Sequence, residues 1–546
     1  MTPKRFGLAA CAALLLIGIL ALPGSASASA EPAAFPAGVG ADEVTPTSAR
    51  LWTRTPAPAI LAQWSTDPSF LSNMHSQPVP VSADHDGTAH TTVTSLTPAT
   101  RYYYRFLVPR AAHSRVGTFR TAPLPGADVP VTFAFSGDQD GSLDPNTNQP
   151  CFNHFESFTD AATHHPDFYV NLGDTIYGDA NCEGTTSSAL DDYRRLYKQN
   201  LTYDALRNLR ATTGFYSQWD DHEVQDNWNR QTVDPQLLAA GRQAFMEYQN
   251  QTFDTHGLGF YRHFRWGSNV EIFVLDERSF RTQEADAIDA DGGGVPDCQN
   301  SVTGIADLAP TLAQAYRNIF AGLIGPQSGL QVPVPAQCTA ALEAAGRTML
   351  GTTQRTQFLT DLARSPATFK LIMNEDPIQQ FFALPYDRWE GYRWERNQIL
   401  SFIDQRNIAN VVWLTTDVHA YIAHTVDYNT DTPGVGQTVQ GMMDYTVGPV
   451  ATNTFQDEID SLLGEGTGDL VRLFLLSFNA NTCAELGGDP GQDVGAPYYG
   501  YGLVTIQTNP ARITVQPIDQ TGVPIAGNGG AGGRDPACFD YSANAS

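Results

Sequence analysis

Two rhythms of apolar and polar residues divide this chain. From about residue 32 to 124, short runs in which apolar and polar positions alternate are separated by turn clusters. Ser48-Ala-Arg-Leu-Trp-Thr53, Thr91-Thr-Val-Thr-Ser-Leu96, Thr100-Arg-Tyr-Tyr-Tyr-Arg-Phe106 and Val116-Gly-Thr-Phe-Arg-Thr121 are such runs. Strand signals at this spacing predict a small all-β sandwich over 32–124. The stretch from Pro123 to Pro130 predicts a linker. From Val131 onward the strands become almost wholly apolar and end in polar residues. They are Val131-Thr-Phe-Ala-Phe-Ser-Gly-Asp138, Phe168-Tyr-Val-Asn-Leu-Gly-Asp174, Val270-Glu-Ile-Phe-Val-Leu-Asp276, Thr368-Phe-Lys-Leu-Ile-Met-Asn374 and Val411-Val-Trp-Leu-Thr-Thr-Asp417. Helical stretches such as Arg355 to Arg364 and Trp394 to Gln405 lie between them. This alternation predicts an α/β domain over 128–546 with sheets buried on both faces. Strands return after Pro497, as Gly502 to Gln507 and Arg512 to Gln516.

Five strands that end in Asp or Asn change the picture from fold to chemistry. The carboxyl ends of strands are where buried sheets build sites. The chain has 546 residues, with 32 basic against 58 acidic, a net charge of −26. Such a chain is a poor general binder of nucleic acid, and none is expected as a partner. An anionic substrate would need a local source of positive potential, which bound metal ions supply.

The N-terminus predicts export. Lys4 and Arg5 precede an apolar run from Leu8 to Leu22, broken by Pro23 and Gly24, with Ala-Ser-Ala-Ser-Ala before Glu31. That is the anatomy of a signal peptide over 1–30. The run is too short to favour a membrane span. A secreted, extracellular monomer is the expectation. Cys11 leaves with the signal, and the remaining six cysteines favour disulfides in an oxidising compartment. Six cysteines allow 15 pairings. Proximity along the chain suggests Cys151–Cys182, Cys298–Cys338 and Cys483–Cys538.

The polar clusters occur in a fixed order: Asp138; Gly173-Asp174-Thr175-Ile176-Tyr177; Trp219-Asp220-Asp221-His222-Glu223; Asn374-Glu375-Asp376-Pro377; and Thr416-Asp417-Val418-His419. Together they resemble the alkaline phosphatase D (PhoD-type) branch of the metallophosphatases, which carries Gly-Asp-x-Ile-Tyr, Trp-Asp-Asp-His-Glu and Asp-Val-His in this order. The resemblance runs from about residue 36 to the C-terminus. It implies a two-sheet sandwich flanked by helices, preceded by a small fibronectin-like β-sandwich. It also implies a ligand scheme. The first metal would take Asp138, Asp174, Tyr177 and His419, and the second Asp174, Asp221, Asn374 and Asp417. Asp174 would bridge the two. His222 is the candidate to contact phosphate and protonate the leaving group, as the matching His does in the superfamily.

Three hard oxygens including a phenolate, with one imidazole, suit trivalent iron. Carboxylates and a carboxamide without imidazole suit calcium, magnesium or manganese. An Fe3+–Ca2+ pair therefore leads. The branch commonly places Cys in a Ser-Cys-Gln motif where this chain has Gly137-Asp138-Gln139. Loss of the soft thiolate leaves Zn2+ or Mn2+ open at the first site.

Two cations ~3.5–4 Å apart would activate a shared water for attack on a phosphate mono- or diester. A phospholipase D-like phosphodiesterase using the same site is the alternative, with a lipid or polymer phosphoester as substrate. A non-catalytic exported binding protein is the alternative of a different class, which a complete ligand set argues against. Two further motifs stay structural in this reading. Asp276-Glu-Arg278 resembles a family Asp-x-Arg block; contact of Arg278 with substrate phosphate is the alternative, and an Asp276–Arg278 pair is expected. The run Asp289-Ala-Asp291-Gly-Gly-Gly-Val-Pro-Asp297-Cys298 is expected to be an acidic insertion tied down by Cys298 rather than a cation loop.

Overall fold

The structure is a computed structural model. It describes residues 31–286, 297–324, 329–383, 385–432, 435–464, 483–485, 499–529, 534–535 and 541–544. The expected signal segment, most of the acidic run from Asp289 and Cys538 lie outside the described residues.

Two nine-stranded sheets form the centre. In the first, Val131–Ser136, Phe168–Leu172 and Gly214–Gln218 pair in parallel, side by side. In the second, Val270–Val274, Phe369–Met373 and Val411–Thr415 do the same. The sheets pack face to face. Phe133, Phe135, Val170 and Leu172 of one share a core with Ile272, Val274, Leu371, Met373, Val412 and Leu414 of the other. The intervening residues point outward under helices. Ala134, Tyr169 and Phe215 meet Phe158, Leu196, Leu209 and Phe245. Phe273, Ile372 and Trp413 meet Phe358, Leu362, Ile399 and Ile403. Both faces of each sheet are thus covered, which is why these strands read as continuous apolar runs. The expected two-sheet sandwich flanked by helices is present.

The N-terminal strands also form where the alternation predicts, as Ser48–Arg54, Thr88–Thr94, Arg101–Val108 and Gly117–Arg120. They belong to two layers. Ala59–Ser65, His75–Pro80, Arg101–Val108, Ala112–His113 and Gly117–Arg120 make a separate five-stranded sheet. Val39–Asp42, Ser48–Arg54 and Thr88–Thr94 instead extend the first central sheet, with Ala41 opposite Gly214 in parallel pairing. Leu51 points into the N-terminal core and its neighbour Trp52 into the helix-covered core beyond.

Cys151–Cys182 and Cys298–Cys338 are bonded as expected, and Cys483 is also disulfide-bonded. No helix among the described residues is long and apolar enough to cross a membrane.

Trp52 joins the two regions. It is fully buried, its Nε1 donates to the Glu247 carbonyl at 2.8 Å, and the Arg210 guanidinium lies 4.6 Å over its ring. Trp52→Ala is predicted to cost about 3–5 kcal/mol, as for other buried Trp truncations. Because one sheet runs through both regions, denaturant unfolding should remain a single transition at a lower midpoint. An early transition confined to the N-terminal strands, with the main transition unmoved, would contradict this coupling.

Candidate metal centre

The predicted residues converge where the two sheets present their strand ends. Asp138 and Asp174 follow adjacent strands of the first sheet, and the run from Trp219 to Glu223 follows the third. Asn374 and Asp417 follow adjacent strands of the second. The sheets touch across the gap. The Asp417 N–H donates to Asp138 Oδ1 at 3.2 Å and the Thr416 hydroxyl to the Leu172 carbonyl at 3.2 Å.

Each of these turns is sharp. Asp138, Asp174, Asp417 and His419 have φ of 61°, 48°, 65° and 55°. Few residues other than glycine adopt this left-handed conformation, and it costs of order 1–3 kcal/mol where it occurs. Two glycines make room. A Cβ on Gly173 (φ 105°) would lie 2.5 Å from Asp220 Cβ, and one on Gly448 (φ 132°) would lie 2.4 Å from Asp138 Oδ2. The strained turns bring the side chains into two linked clusters. Asp138, Asp174 and His419 each offer a ligand atom within 4.8 Å of the others, and so do Asp174, Asp221 and His222. Asp174 is common to both. Two more groups, Asp220–Asp221–Asp417 and Asp376–Asp387–Asp417, continue the acidic patch. Tyr177 Oη sits 3.1 Å from His419 Nε2. Asn374 is fully buried, and its backbone N–H donates to the Leu414 carbonyl at 3.2 Å.

The donor atoms fit cations. Asp138 Oδ2 and Asn374 Oδ1 are buried with no hydrogen-bond partner among the described residues. Burying such atoms without a partner is costly, and a metal ion satisfies them. Burial pushes the Asp138 carboxyl up to about 6, with His419 acting in the opposite direction. Burial raises Asp174 and Asp417 well above the ordinary 3.8, and neighbouring carboxylates add to the effect. Burial, then Asp174 and Asp138, raises the Tyr177 phenol well above 10. Only added positive charge would hold this set ionised. Asp221 differs: burial raises it, but Arg278 and His222 outweigh that and hold it below the usual range.

The two histidines are fixed by carboxylates that the motifs did not single out. His419 Nδ1 is 2.8 Å from Glu458 Oε1, which leaves Nε2 facing Tyr177 and, at 3.9 Å, Asp138 Oδ1. A carboxylate behind a histidine in this way sets which ring nitrogen can bind metal. His222 Nδ1 is 2.8 Å from Asp179 Oδ1, and its ring stacks on Tyr177 at 4.3 Å. Burial acts to lower the His222 pKa, but Asp221, Asp174 and Asp179 outweigh it and hold the value well above 6.5.

The expected Asp276–Arg278 pair is not formed. Asp276 is occupied elsewhere: Oδ1 accepts from Trp219 Nε1 at 3.0 Å and Oδ2 from the Phe260 N–H at 2.8 Å. Arg278 is fully buried instead among the site acids. It bonds Asp220 through Nε and Asp387 through Nη1, with Nη2 at 3.9 Å from Asp221 and 3.8 Å from Asp417. Arg281 adds a second buried cation, paired with Asp376 and Asp387.

Two packed sheets, flanking helices and acids at the strand ends define the metallophosphatase class of fold. Two solved structures bear this out. One, described as the structure of PhoD, matches with TM-score 0.63 and 20% identity, over 91% of this chain and 93% of that one. A purple acid phosphatase from yellow lupin (Lupinus luteus) seeds matches with TM-score 0.52 and 11% identity, over 90% of this chain and 74% of that one. The PhoD-like phosphatase family model matches residues 146–480, and the model of that family's N-terminal domain matches 21–123. The chain belongs to the PhoD-like phosphatase family. Alkaline phosphatase D of Bacillus subtilis (strain 168) is 27% identical over 436 residues, which is 71% of this chain. The match spans 64% of that relative's length, a little under two thirds.

The raised groups fix the sign of a pH effect. Asp138, Asp174, Asp417 and His222 all hold protons more tightly in the fold than in the unfolded chain. In cation-free protein, stability is therefore lost as pH rises. For Asp138 the window runs from 3.8 to about 6, and the other groups extend it upward. Chelator-stripped protein should gain melting temperature as pH is lowered from 8 to 6, and cation-loaded protein should lack that gain. Calorimetry of both forms over this range checks it. A stripped protein that becomes more stable with rising pH would show that the carboxylates are not waiting for positive charge.

Proposed function

We propose that this chain is an exported, metal-dependent phosphoric ester hydrolase that acts on phosphate monoesters, diesters or both. The observation that carries this reading is Asp174, the side chain shared by the cluster that contains His419 and the cluster that contains His222. That is the place of a bridging carboxylate in a two-metal hydrolase. Membership of the PhoD-like phosphatase family and the alkaline phosphatase D relative support the same chemistry.

In this reading Asp138, Asp174, Tyr177 and His419 hold the first ion, and Asp174, Asp221, Asn374 and Asp417 the second. When bound, the two ions would supply the charge that activates water and neutralises phosphate oxygens. The protein's own groups do the rest. Glu458 fixes His419 with Nε2 inward. Arg278, fully buried and bonded to Asp220 and Asp387, is a fixed counter-charge beside Asp221 and Asp417. His222 donates the proton that the leaving oxygen needs. The donor set favours Fe3+ at the first position and Ca2+ at the second, with Zn2+ or Mn2+ the alternatives at the first. The disulfides suit an oxidising compartment.

Asp174→Asn should abolish hydrolysis of p-nitrophenyl phosphate and of bis-p-nitrophenyl phosphate, and should lower the content of both metals by elemental analysis. Near-normal activity would end the two-metal assignment. With iron at the first position, the Tyr177 phenolate should give the protein a visible charge-transfer band that Tyr177→Phe bleaches or shifts. Colourless active protein containing only zinc or manganese would exclude iron while leaving the hydrolase reading intact.

His222→Ala should keep its metals and lose ~10²–10⁴-fold in kcat on substrates with poor leaving groups, the usual worth of a general acid. The loss should shrink on p-nitrophenyl phosphate, whose leaving group needs no proton. A uniform loss would make His222 a phosphate-binding residue instead.

A further inference from the structure

We infer that Asp179 is the positioning residue for the proton donor: it holds His222 in the one tautomer and orientation in which Nε2 can protonate the leaving oxygen. This rests on the acid role of His222 proposed above.

The ring is clamped from one segment of chain. Asp179 Oδ1 lies 2.8 Å from His222 Nδ1, and Asp179 Oδ2 accepts the Asp226 N–H at 2.6 Å, which fixes the carboxylate itself. Tyr177 stacks on the ring face with centroids 4.3 Å apart. The Gly178 N–H donates to the His222 carbonyl at 2.7 Å, and the His222 N–H meets Asp221 at 2.9 Å and Asp174 at 3.3 Å. A carboxylate can only accept from Nδ1, so Nδ1 carries hydrogen in either protonation state. Nε2 points the other way, to the rim, where Asp226 lies 4.0 Å away with its side chain 50% exposed. Residues 174 to 179 thus supply a bridging carboxylate, a phenol and the histidine's partner together.

The proton accounting is simple. The P–O bond to the leaving group breaks and its electron pair stays on the leaving oxygen. The Nε2 proton moves to that oxygen, and the imidazolium becomes a neutral imidazole whose remaining proton is on Nδ1, shared with Asp179. The carboxylate takes no net proton and stays available for the next turnover, as orienting carboxylates do in other histidine sites.

Asp179→Asn separates these roles. The amide has one acceptor oxygen for two donors, and the fixed Asp226 N–H competes for it. The amide NH2 then faces Nδ1 and opposes the imidazolium. The variant should retain both metals. It should lose about 10²-fold in kcat on β-glycerophosphate and little on p-nitrophenyl phosphate, at the low end of general-acid effects. The double variant Asp179→Asn/His222→Ala should be no slower than His222→Ala alone, because Asp179 acts through that ring. If the Asn variant is poorly folded, Asp179→Ser should show the same leaving-group split. Equal losses on both substrates, loss of a metal, or additive losses in the double variant would overturn the inference. If His222→Ala itself shows no leaving-group split, it is the acid role of His222 that fails, not the clamp.

Discussion

The constraint on which this structure depends is electrostatic. Asp138, Asp174, Asp220, Asp221, Glu277, Glu375, Asp376 and Asn374 crowd the interior at the joined edges of two sheets, each less than a twentieth exposed. Like charges in a low-dielectric space repel strongly and lose their hydration. Protons, buried arginines or metal ions can relieve that. Arg278 and Arg281 answer part of the load, at Asp220, Asp376 and Asp387. Neither has an ion-pair contact with Asp138 or Asp174 among the described residues. Those two, with Tyr177 and His419, are the groups that would hold the first cation in the function proposed above, and their raised proton affinities express the same need.

The scaffold makes this crowding possible. Strands buried on both faces can be apolar along their length and still deliver a polar residue at the end, because the next peptide leaves the sheet. Parallel neighbours deliver such residues side by side, so Asp138 and Asp174 arrive together. The second sheet does the same with Asn374 and Asp417 from the opposite wall. The left-handed turns at Asp138, Asp174, Asp417 and His419 then aim side chains that an extended chain would point elsewhere. Local backbone strain of this kind persists only where surrounding packing over-determines it, and here a two-sheet core with helices on both sides does so.

This also explains what was legible in the sequence. The five strand ends stood out because uninterrupted apolar runs stop at Asp or Asn, a pattern that needs no distant information. The strand Gly214–Gln218 did not stand out: Gly-Phe-Tyr-Ser-Gln is short and mixed, and it is a strand because neighbours flank it on both sides. The merging of the N-terminal strands into the first sheet depends on pairing between Ala41 and Gly214, about which local pattern is silent. Arg278 was misread for a related reason. Proximity suggested Asp276, but both oxygens of that carboxylate are satisfied by Trp219, Phe260 and Ser279. Glu458 reaches His419 from a helix that starts after the last motif. Asp179 was in plain view two residues after Tyr177, but only three-dimensional contact shows that it faces His222.

In the function proposed above, the segment from Gly173 to Asp179 makes metal binding and proton donation mechanically one device. Asp174 and Tyr177 approach the ligand clusters from the same turn whose end holds the imidazole. The Asp174 carboxylate also accepts from the His222 backbone N–H. Movement of this turn would therefore displace the proposed bridging carboxylate, a phenol and the proposed proton donor at once. Packing leaves little slack for such movement, since a Cβ at Gly178 would lie 2.8 Å from the His222 carbonyl oxygen and 2.7 Å from the Tyr193 ring. Substitutions along the segment should then be strongly non-additive, as they are wherever residues act as a unit. The effect of any one of them measures the integrity of the turn as much as the chemistry of the side chain removed. It follows that variants which keep the side-chain volume, such as Asn for Asp, separate chemistry from architecture here, and truncations to alanine do not.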